Sequence, residues 1–357
     1  MSFHEILIAI MAFFALLGAL DRVFGNRWGP GKEFEEGIQA MGPLALAMVG
    51  IVSLAPVLAA LLKPVVVPVY AFLGADPAMF AGTILACDMG GGALAQAMTE
   101  NRDAAMLGGV LTASMLGATL VFTLPVAMGI LKEEDRPAMA KGILCGIVTV
   151  PLGILAGGLA AGFSVQMVIR NLLPIVLMAA FIALGLWKAE SAMIRGFAAV
   201  GKAVVVVATL GLALAIIQGL TGYAVIPGMA PISEGIEIVG TIAILLAGAF
   251  PLVFLLTKLL RRPLLAAGRL LGINDAAAAG LLASLANSIA TFGMVKSMDP
   301  RGKVVNIAFA VSAAFVFGDH LGFTAGFAPD MIGPMILGKL AGGISAIAVA
   351  LWMTKTN

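Results

Sequence analysis

The sequence predicts an all-α integral membrane protein, a polytopic helical bundle of two inverted repeats, each with a broken or re-entrant helix. Three observations predict it. Of 357 residues, 61% are hydrophobic and 11% charged, and the mean hydropathy is +1.09, more apolar side chain than a soluble core absorbs. Apolar runs of about 18 or more residues recur along the chain, close to the roughly 20 that cross a bilayer as a helix. A shift of 198 residues (234 minus 36) lays Glu36-Gly37-Ile38 on Glu234-Gly235-Ile236, as a duplicated unit does.

Nine spans are predicted, at 5–22, 41–62, 104–131, 139–163, 167–188, 199–222, 236–258, 303–328 and 333–354. Two further apolar segments, 77–98 and 276–296, are interrupted. The first holds Asp88 and Gly90-Gly91-Gly92. Three glycines cost roughly 1 kcal/mol each in a helix interior, and an aspartate in hydrocarbon costs roughly 2.5–3.5 kcal/mol, so the stretch reads as a break. The second holds Asn287, Ser288 and Thr291. Each follows a short apolar stretch that opens on Lys63-Pro64 or Arg262-Pro263 and ends in Leu-Gly. The same shift lays Gly42 on Gly240, Leu73-Gly74 on Leu271-Gly272 and Ala81-Gly82 on Ala279-Gly280, and it brings Asp88 beside Asn287. The expected division is a first repeat over 1–163, a linking span and connection over 164–198, and a second repeat over 199–357. Eleven complete spans with parallel repeats is the alternative.

Charge placement gives the orientation. Lys258, Arg261, Arg262, Arg269, Lys296, Arg301 and Lys303 flank both ends of 276–296, whereas 223–235 and 329–332 hold no basic residue. Basic connections stay on the cytoplasmic side, so this segment is expected to dip in from the cytoplasm and return. Arg22, Arg27, Lys32, the run from Lys132 to Lys141, Lys188, Arg195 and Lys202 fall inside on the same reading, and 77–98 enters from outside. The N-terminus is then outside and the C-terminus, with Lys355, inside. The start, Met-Ser-Phe-His-Glu, lacks the positive region of a signal peptide, so the first span is expected in the mature protein.

Composition and motifs exclude several classes. The net charge of +2 resides in short connections and gives no footing for a nucleic-acid partner. Cys87 and Cys145 both lie in apolar segments, which implies no disulfide framework. Gly-Lys-Ser or Gly-Lys-Thr is absent, so a Walker nucleotide site is not expected. His4 stands alone near the start, and no run of His, Cys, Asp and Glu has metal-ligand spacing, so neither metal nor cofactor is expected.

Polar groups inside spans are the candidates for function, because lipid expels them elsewhere. Asp88 is suited to a cationic solute group, with Gly90 and Gly91 letting backbone approach it; its structural alternative is to cap the half-helix that restarts after the glycines. Asp319-His320, within Phe317-Gly318-Asp319-His320-Leu321-Gly322-Phe323, offers a second cation contact or a proton relay. The structural alternative has Asp319 neutralise Lys339 of the next span while His320 packs between helices. Asn287 and Ser288, with Ser284 and Thr291, supply neutral donors and acceptors, which otherwise serve interhelical bonds. Gln96 faces either the same cavity or water at a hairpin tip. Glu36 and Glu234 suit helix N-termini, and Arg102-Asp103 and Asp299-Pro300-Arg301 read as turn and interface charges. The residues alone point to transport of a small polar cationic solute. Two intramembrane aspartates also suggest an aspartyl protease. Its Tyr-Asp and Gly-x-Gly-Asp pattern is not met, since Cys87 precedes the first aspartate and Val316 takes the place of the first glycine.

At Cys87-Asp88-Met89-Gly90-Gly91-Gly92 and Phe317–Phe323, with Arg27-Trp28-Gly29 and Glu35-Glu36-Gly37, the chain resembles, through essentially its whole length, the ethanolamine transporter (ethanolamine permease) family of bacterial ethanolamine-utilisation operons. The resemblance implies a permease and not an enzyme, taking up ethanolamine across the bacterial inner membrane to feed cytoplasmic ammonia-lyase chemistry in a microcompartment. Protonated ethanolamine has one ammonium and one hydroxyl, so Asp88 is assigned the ammonium, Asn287, Ser288 and Gln96 the hydroxyl, and Asp319-His320 a second cation contact or proton coupling. The alternative is a transporter or channel for another small polar amine or an amino acid, and the sequence does not separate a coupled carrier from a channel or facilitator. The partners expected are the lipid bilayer and, through a glycine-rich exterior, a second copy in a homodimer.

Overall fold

A bundle in lipid turns apolar side chains outward and keeps its few polar ones inside, and the computed structural model of this chain does so. Phe13, Leu61, Phe72, Phe181, Trp187 and Trp352 are exposed, whereas Asp135, His320 and Lys339 are buried. The structure describes residues 3–355, without the side chains of Met1–His4, Leu260, Arg261, Arg262, Leu264 and Ala267. The side chains of His4, which stands alone in the sequence, and of Arg261 and Arg262 of the charge reading therefore lie outside what the structure describes. Seven helices among the described residues are long and apolar enough to cross a membrane.

Helix α1 (Phe3–Val23) turns into α2 (Pro30–Gln39). Asp21 holds the turn, its carboxylate accepting the N–H groups of Trp28, Gly29 and Gly31 at 2.9, 2.9 and 2.8 Å. A π-helical turn leads into α3 (Gly50–Phe72), which continues past the span expected at 41–62. Glu36 falls near the end of α2, whereas Glu234 does occupy a first helical turn.

The interrupted segment 77–98 doubles back. Two short helices, α4 (Ala78–Ile84) and α5 (Gly91–Met98), pack on each other. The Thr99 hydroxyl donates to the Asp76 carboxylate at 2.8 Å, and the Asp76 N–H donates to the side-chain oxygen of Asn171 at 2.7 Å. Entry and exit of the segment thus lie side by side. Asn101 then caps helix α6 (Arg102–Ile130), accepting the N–H of Ala104 at 3.2 Å. Much of α6 is π-helical, over Leu107–Gly117 and Thr119–Thr123. Helices α7 (Arg136–Ile147) and α8 (Val150–Ala160) follow.

Helix α9 (Val165–Thr221) has 57 residues, which laid straight would reach about 85 Å, far beyond a hydrocarbon core of about 30 Å. It bends at Ala189, where φ is −146° and ψ 48°, so the spans expected at 167–188 and 199–222 lie on either side. Helix α10 (Ile232–Leu271) contains the span expected at 236–258.

The second interrupted segment repeats the first. Helices α11 (Asp275–Ala286) and α12 (Ser288–Met294) separate at Asn287. The Asn274 amide donates to the Ser297 carbonyl at 2.9 Å, and the Asn274 N–H donates to Asp299 at 2.8 Å. Asp299 also caps α13 (Pro300–Ala313), accepting the N–H of Gly302 at 3.1 Å. Asp76 and Asn274, Thr99 and Ser297, and Asn101 and Asp299 are each 198 residues apart, so the clasp recurs in register. Gly82 lies against the Gly108 carbonyl and Gly280 against Asn306, again 198 apart in both members.

The span expected at 303–328 is interrupted. After α13 the chain leaves helical geometry over Ala314–Gly318, with Phe315 at φ +63°, before α14 (Asp319–Phe327) and α15 (Ile332–Met353). The last carbonyls of a helix have no intrahelical partner, and those of Ser284 and Leu285 in α11 accept the N–H groups of Phe315 and Phe317, both at 2.9 Å. The break in this span completes the broken end of the other.

Two ion pairs tie opposite ends of the bundle, and their burial ranks them. Lys303 pairs with Asp135, whose side chain is 3% exposed; Arg102 pairs with Asp330, where both partners are more than half exposed. Removing one partner of a buried pair costs about 3–5 kcal/mol, with the lower figure fitting a lysine that is 21% exposed. An exposed pair contributes about 0–1 kcal/mol. In detergent, Asp135→Ala is therefore expected to lower the unfolding temperature by several degrees and Asp330→Ala to leave it nearly unchanged, as read by intrinsic fluorescence.

Candidate functional site

The glycine run makes the first break. Leu85 and Ala86 are extended, Cys87–Met89 form one 3-10 turn, and Gly90 sits at φ +87°. Only glycine takes that conformation without strain, and a Cβ there would lie 2.2 Å from the Ile51 side chain. The N–H groups of Met89 and Gly91 both donate to the Ala86 carbonyl, closing a tight loop that projects Asp88. Gly92 seats α5 on α14, where a Cβ would lie 2.6 Å from the Phe323 ring; Phe323 stacks on Phe327 with centroids 4.8 Å apart.

Asp88 is half-buried and faces His320, with Oδ1 3.8 Å from Nε2. His320 is buried, its ring 5.1 Å from that of Phe315, and its Nδ1 has no protein hydrogen-bond partner. Asp319 is half-buried and lies close enough to Asp88 for the two charges to interact. From α15, Lys339 reaches in at 1% exposure, donates to the Ser114 carbonyl of α6, and interacts electrostatically with Asp88 and Cys87. Four elements thus converge on one point.

The second hairpin contributes the next groups. Asn287 caps α12, accepting the N–H of Ile289 at 2.8 Å, and Ser288 is buried with a hydroxyl that no protein group meets. Ser284 and Thr291 bond to the carbonyls of Leu281 and Gly280. A Cβ on Gly318 would lie 2.1 Å from the Ala286 carbonyl oxygen, so the hairpin tip is seated directly before Asp319-His320. A cavity of about 280 Å³ lined by Glu33, Phe254, Lys258 and Ala286 opens beside that tip.

Of the residues singled out from sequence, Asp88, Gly90, Gly91, Asp319 and His320 share the cluster. Asn287 and Ser288 border it through Ala286 and Gly318. Gln96 is exposed on α5. Asp88 does not cap α5, whose N-terminal position is Gly90 without a side-chain bond. Among the described residues no ion pair within 4.0 Å joins Asp319 to Lys339. In the sequence Lys339 stands out only as a neutralising neighbour of Asp319. Its signal in the sequence is that it is the sole charge within the α15 span.

A trio invisible in the spacing also forms. Ligand atoms of Cys87, Asp88 and His320 lie within 4.8 Å of one another, a distance a bound cation accepts. The charge of Lys339 beside Cys87 and Asp88 opposes a metal ion there. What the arrangement provides is a pair of carboxylates, one lysine, one imidazole and neutral polar groups, with the Phe315 ring beside the imidazole and the Phe323 ring beside Gly92.

Comparison with known proteins decides the family. Residues 3–353 match the model of the family described as Ethanolamine utilisation protein, EutH. The chain belongs to the EutH family. It is 60% identical over 355 residues to "Probable ethanolamine permease EutH" of Listeria monocytogenes, covering 99% of this chain and 95% of the relative. It is 46% identical over 391 residues to the protein of the same name in Escherichia coli, covering 99% and 96%. It is 52% identical over 357 residues to "Uncharacterized protein YxeR" of Bacillus subtilis, covering 100% and 96%. No solved structure matches it. The resemblance read from Cys87–Gly92 and Phe317–Phe323 thus extends over the whole chain, and the EutH-family match takes in both hairpins and the polar cluster.

Proposed function

We propose that this chain is a permease and not an enzyme, carrying ethanolamine across the bacterial inner membrane as the protonated amine, seated between the two broken segments. The observation that carries the reading is the pair Asp88 and Asp319. Both carboxylates are half-buried, and among the described residues neither has a lysine or arginine within 4.0 Å. Anions kept in a bundle interior are costly, and an ammonium that enters between them offsets that cost. Asp88 with Asp319 takes the ammonium, His320 orients Asp88, and Asn287 and Ser288 meet the hydroxyl. Gln96 supplies a polar group on the approach. The names of the Listeria monocytogenes and Escherichia coli relatives support this substrate.

The architecture that suits this function is nine crossings and two re-entrant hairpins in inverted repeats, 1–163 and 199–357, joined by 164–198. Transporters of this kind place substrate where broken helices meet. The recurring clasp supports it, because each hairpin has both ends together. One clasp lies near Asn171 and the other shares Asp299 with the start of α13. The charge pattern supports the first clasp outside and the second inside, with the N-terminus periplasmic and the C-terminus cytoplasmic. We further propose that the protein is a homodimer.

Reconstituted vesicles test the substrate: saturable uptake of labelled ethanolamine at acidic pH, competed by ethanolamine and not by ethylene glycol, is expected. Uptake no greater than in protein-free vesicles overturns it. Topology is tested separately with an impermeant maleimide. Pro77→Cys and Glu100→Cys are expected to react from the periplasmic side, and Asp275→Cys and Lys296→Cys from the cytoplasmic side.

A further inference from the structure

Lys339 is a primary ammonium on an alkyl chain, and so is protonated ethanolamine. The cluster therefore contains, tethered to α15, the head group of its own substrate. Lys339 is 1% exposed and its hydrogen bond goes to a neutral acceptor, the Ser114 carbonyl, which uses one of three donors. Its charge is felt at Asp88 and Cys87 without a direct ion pair. A buried cation held this way is far more expensive than a leucine in the same place, so packing does not account for it.

The charge count gives it a task. Counted in their ionised forms, Asp88 and Asp319 bring two negative charges and Lys339 one positive, so with a neutral imidazole the three side chains are one cation short of balance. One monovalent cation restores it. Without Lys339 the empty cluster would have no cation of its own opposite two carboxylates in a low-dielectric interior, and they would have to take up protons before an empty carrier could return. We propose that Lys339 is a tethered counter-cation of the substrate site, competing with the incoming ammonium for the charge of Asp88 and replacing it on the empty return. The assignment rests on the proposed transport of an ammonium substrate. It makes Lys339 a positioning residue that lowers affinity and permits turnover.

Lys339→Gln tests it, because glutamine keeps an N–H donor, on a side chain one atom shorter, and removes the charge. In reconstituted vesicles the variant is expected to bind ethanolamine about tenfold more tightly, equal to about 1.4 kcal/mol, by stabilisation against thermal unfolding. It should retain exchange of labelled for unlabelled ethanolamine while net uptake falls about tenfold or more. Unchanged or weaker binding, or equal loss of exchange and net uptake, overturns the proposal. If Lys339→Gln does not fold, the charge-balanced pair Asp88→Asn with Lys339→Gln decides: recovery of folded protein supports the assignment and failure to recover overturns it. Methylammonium serves as a second probe. A wild-type protein that ignores ethanolamine ends the substrate assignment, while tighter methylammonium binding by Lys339→Gln still upholds the role of Lys339, and equal binding ends that too.

Discussion

Asp88→Asn is expected to abolish uptake of labelled ethanolamine at acidic pH while leaving the fold intact. Loss of one partner from a desolvated charge pair costs about 2–5 kcal/mol, which is roughly 30-fold to several thousand-fold in affinity. The substitution keeps the side-chain shape, and Asp88 caps no helix, so the unfolding temperature should move little. Gly90 and the Ala86 carbonyl, which hold the loop in place, are untouched. Asp319→Asn is expected to have the same sign and a smaller effect, since Asp319 lacks the close approach of His320 that Asp88 has. The measurement is initial uptake rate against concentration in vesicles, with unfolding temperature as the control. Full uptake by Asp88→Asn under conditions where the neutral amine is scarce would falsify the assignment of the ammonium to this carboxylate.

The first hairpin is legible in the sequence because its cause is local. Asp88 and three glycines in eleven residues make a continuous helix untenable, and no distant contact has to be known to see it. Asn287 was legible only by the 198-residue register, which the clasps at Asp76 and Asn274 follow to the residue. The break at Ala314–Gly318 was not legible. Ala-Phe-Val-Phe-Gly is as apolar as a span, and its N–H groups leave helical geometry only because the carbonyls of Ser284 and Leu285, thirty or so residues away, are waiting for them. The partner of Lys339 is not legible for a related reason. Sequence neighbours suggest Asp319 as its partner, whereas its ammonium goes to Ser114, 225 residues earlier. The Cys87, Asp88 and His320 trio likewise draws on two hairpin residues and one from the other half. Breaks driven by composition can be read from one segment; breaks driven by a partner need the fold.

That partnership predicts where single methyl groups do the most damage. A Cβ on Gly117 would lie 1.9 Å from the Leu85 carbonyl oxygen, and one on Gly318 would lie 2.1 Å from that of Ala286. Both oxygens belong to backbone at the hairpin tips and have no rotamer to escape through, so each tip must retreat by roughly 1 Å from the helix that positions it. Overpacking of this kind costs about 1–3 kcal/mol in stability, and a reacting or binding group displaced by about 1 Å loses on the order of 100-fold in function. Gly318→Ala acts directly on the segment carrying Asp319 and His320, and Gly117→Ala on the loop carrying Asp88. Both are expected to lose uptake by about 100-fold, well beyond what their loss of thermal stability explains. Gly42→Ala and Gly240→Ala, 198 residues apart at positions where a Cβ meets nothing within 4 Å, should be neutral or slightly stabilising. Uptake by Gly318→Ala equal to that of Gly240→Ala would show that the second hairpin does not hold the site, and only the Asp88 half of the arrangement would stand.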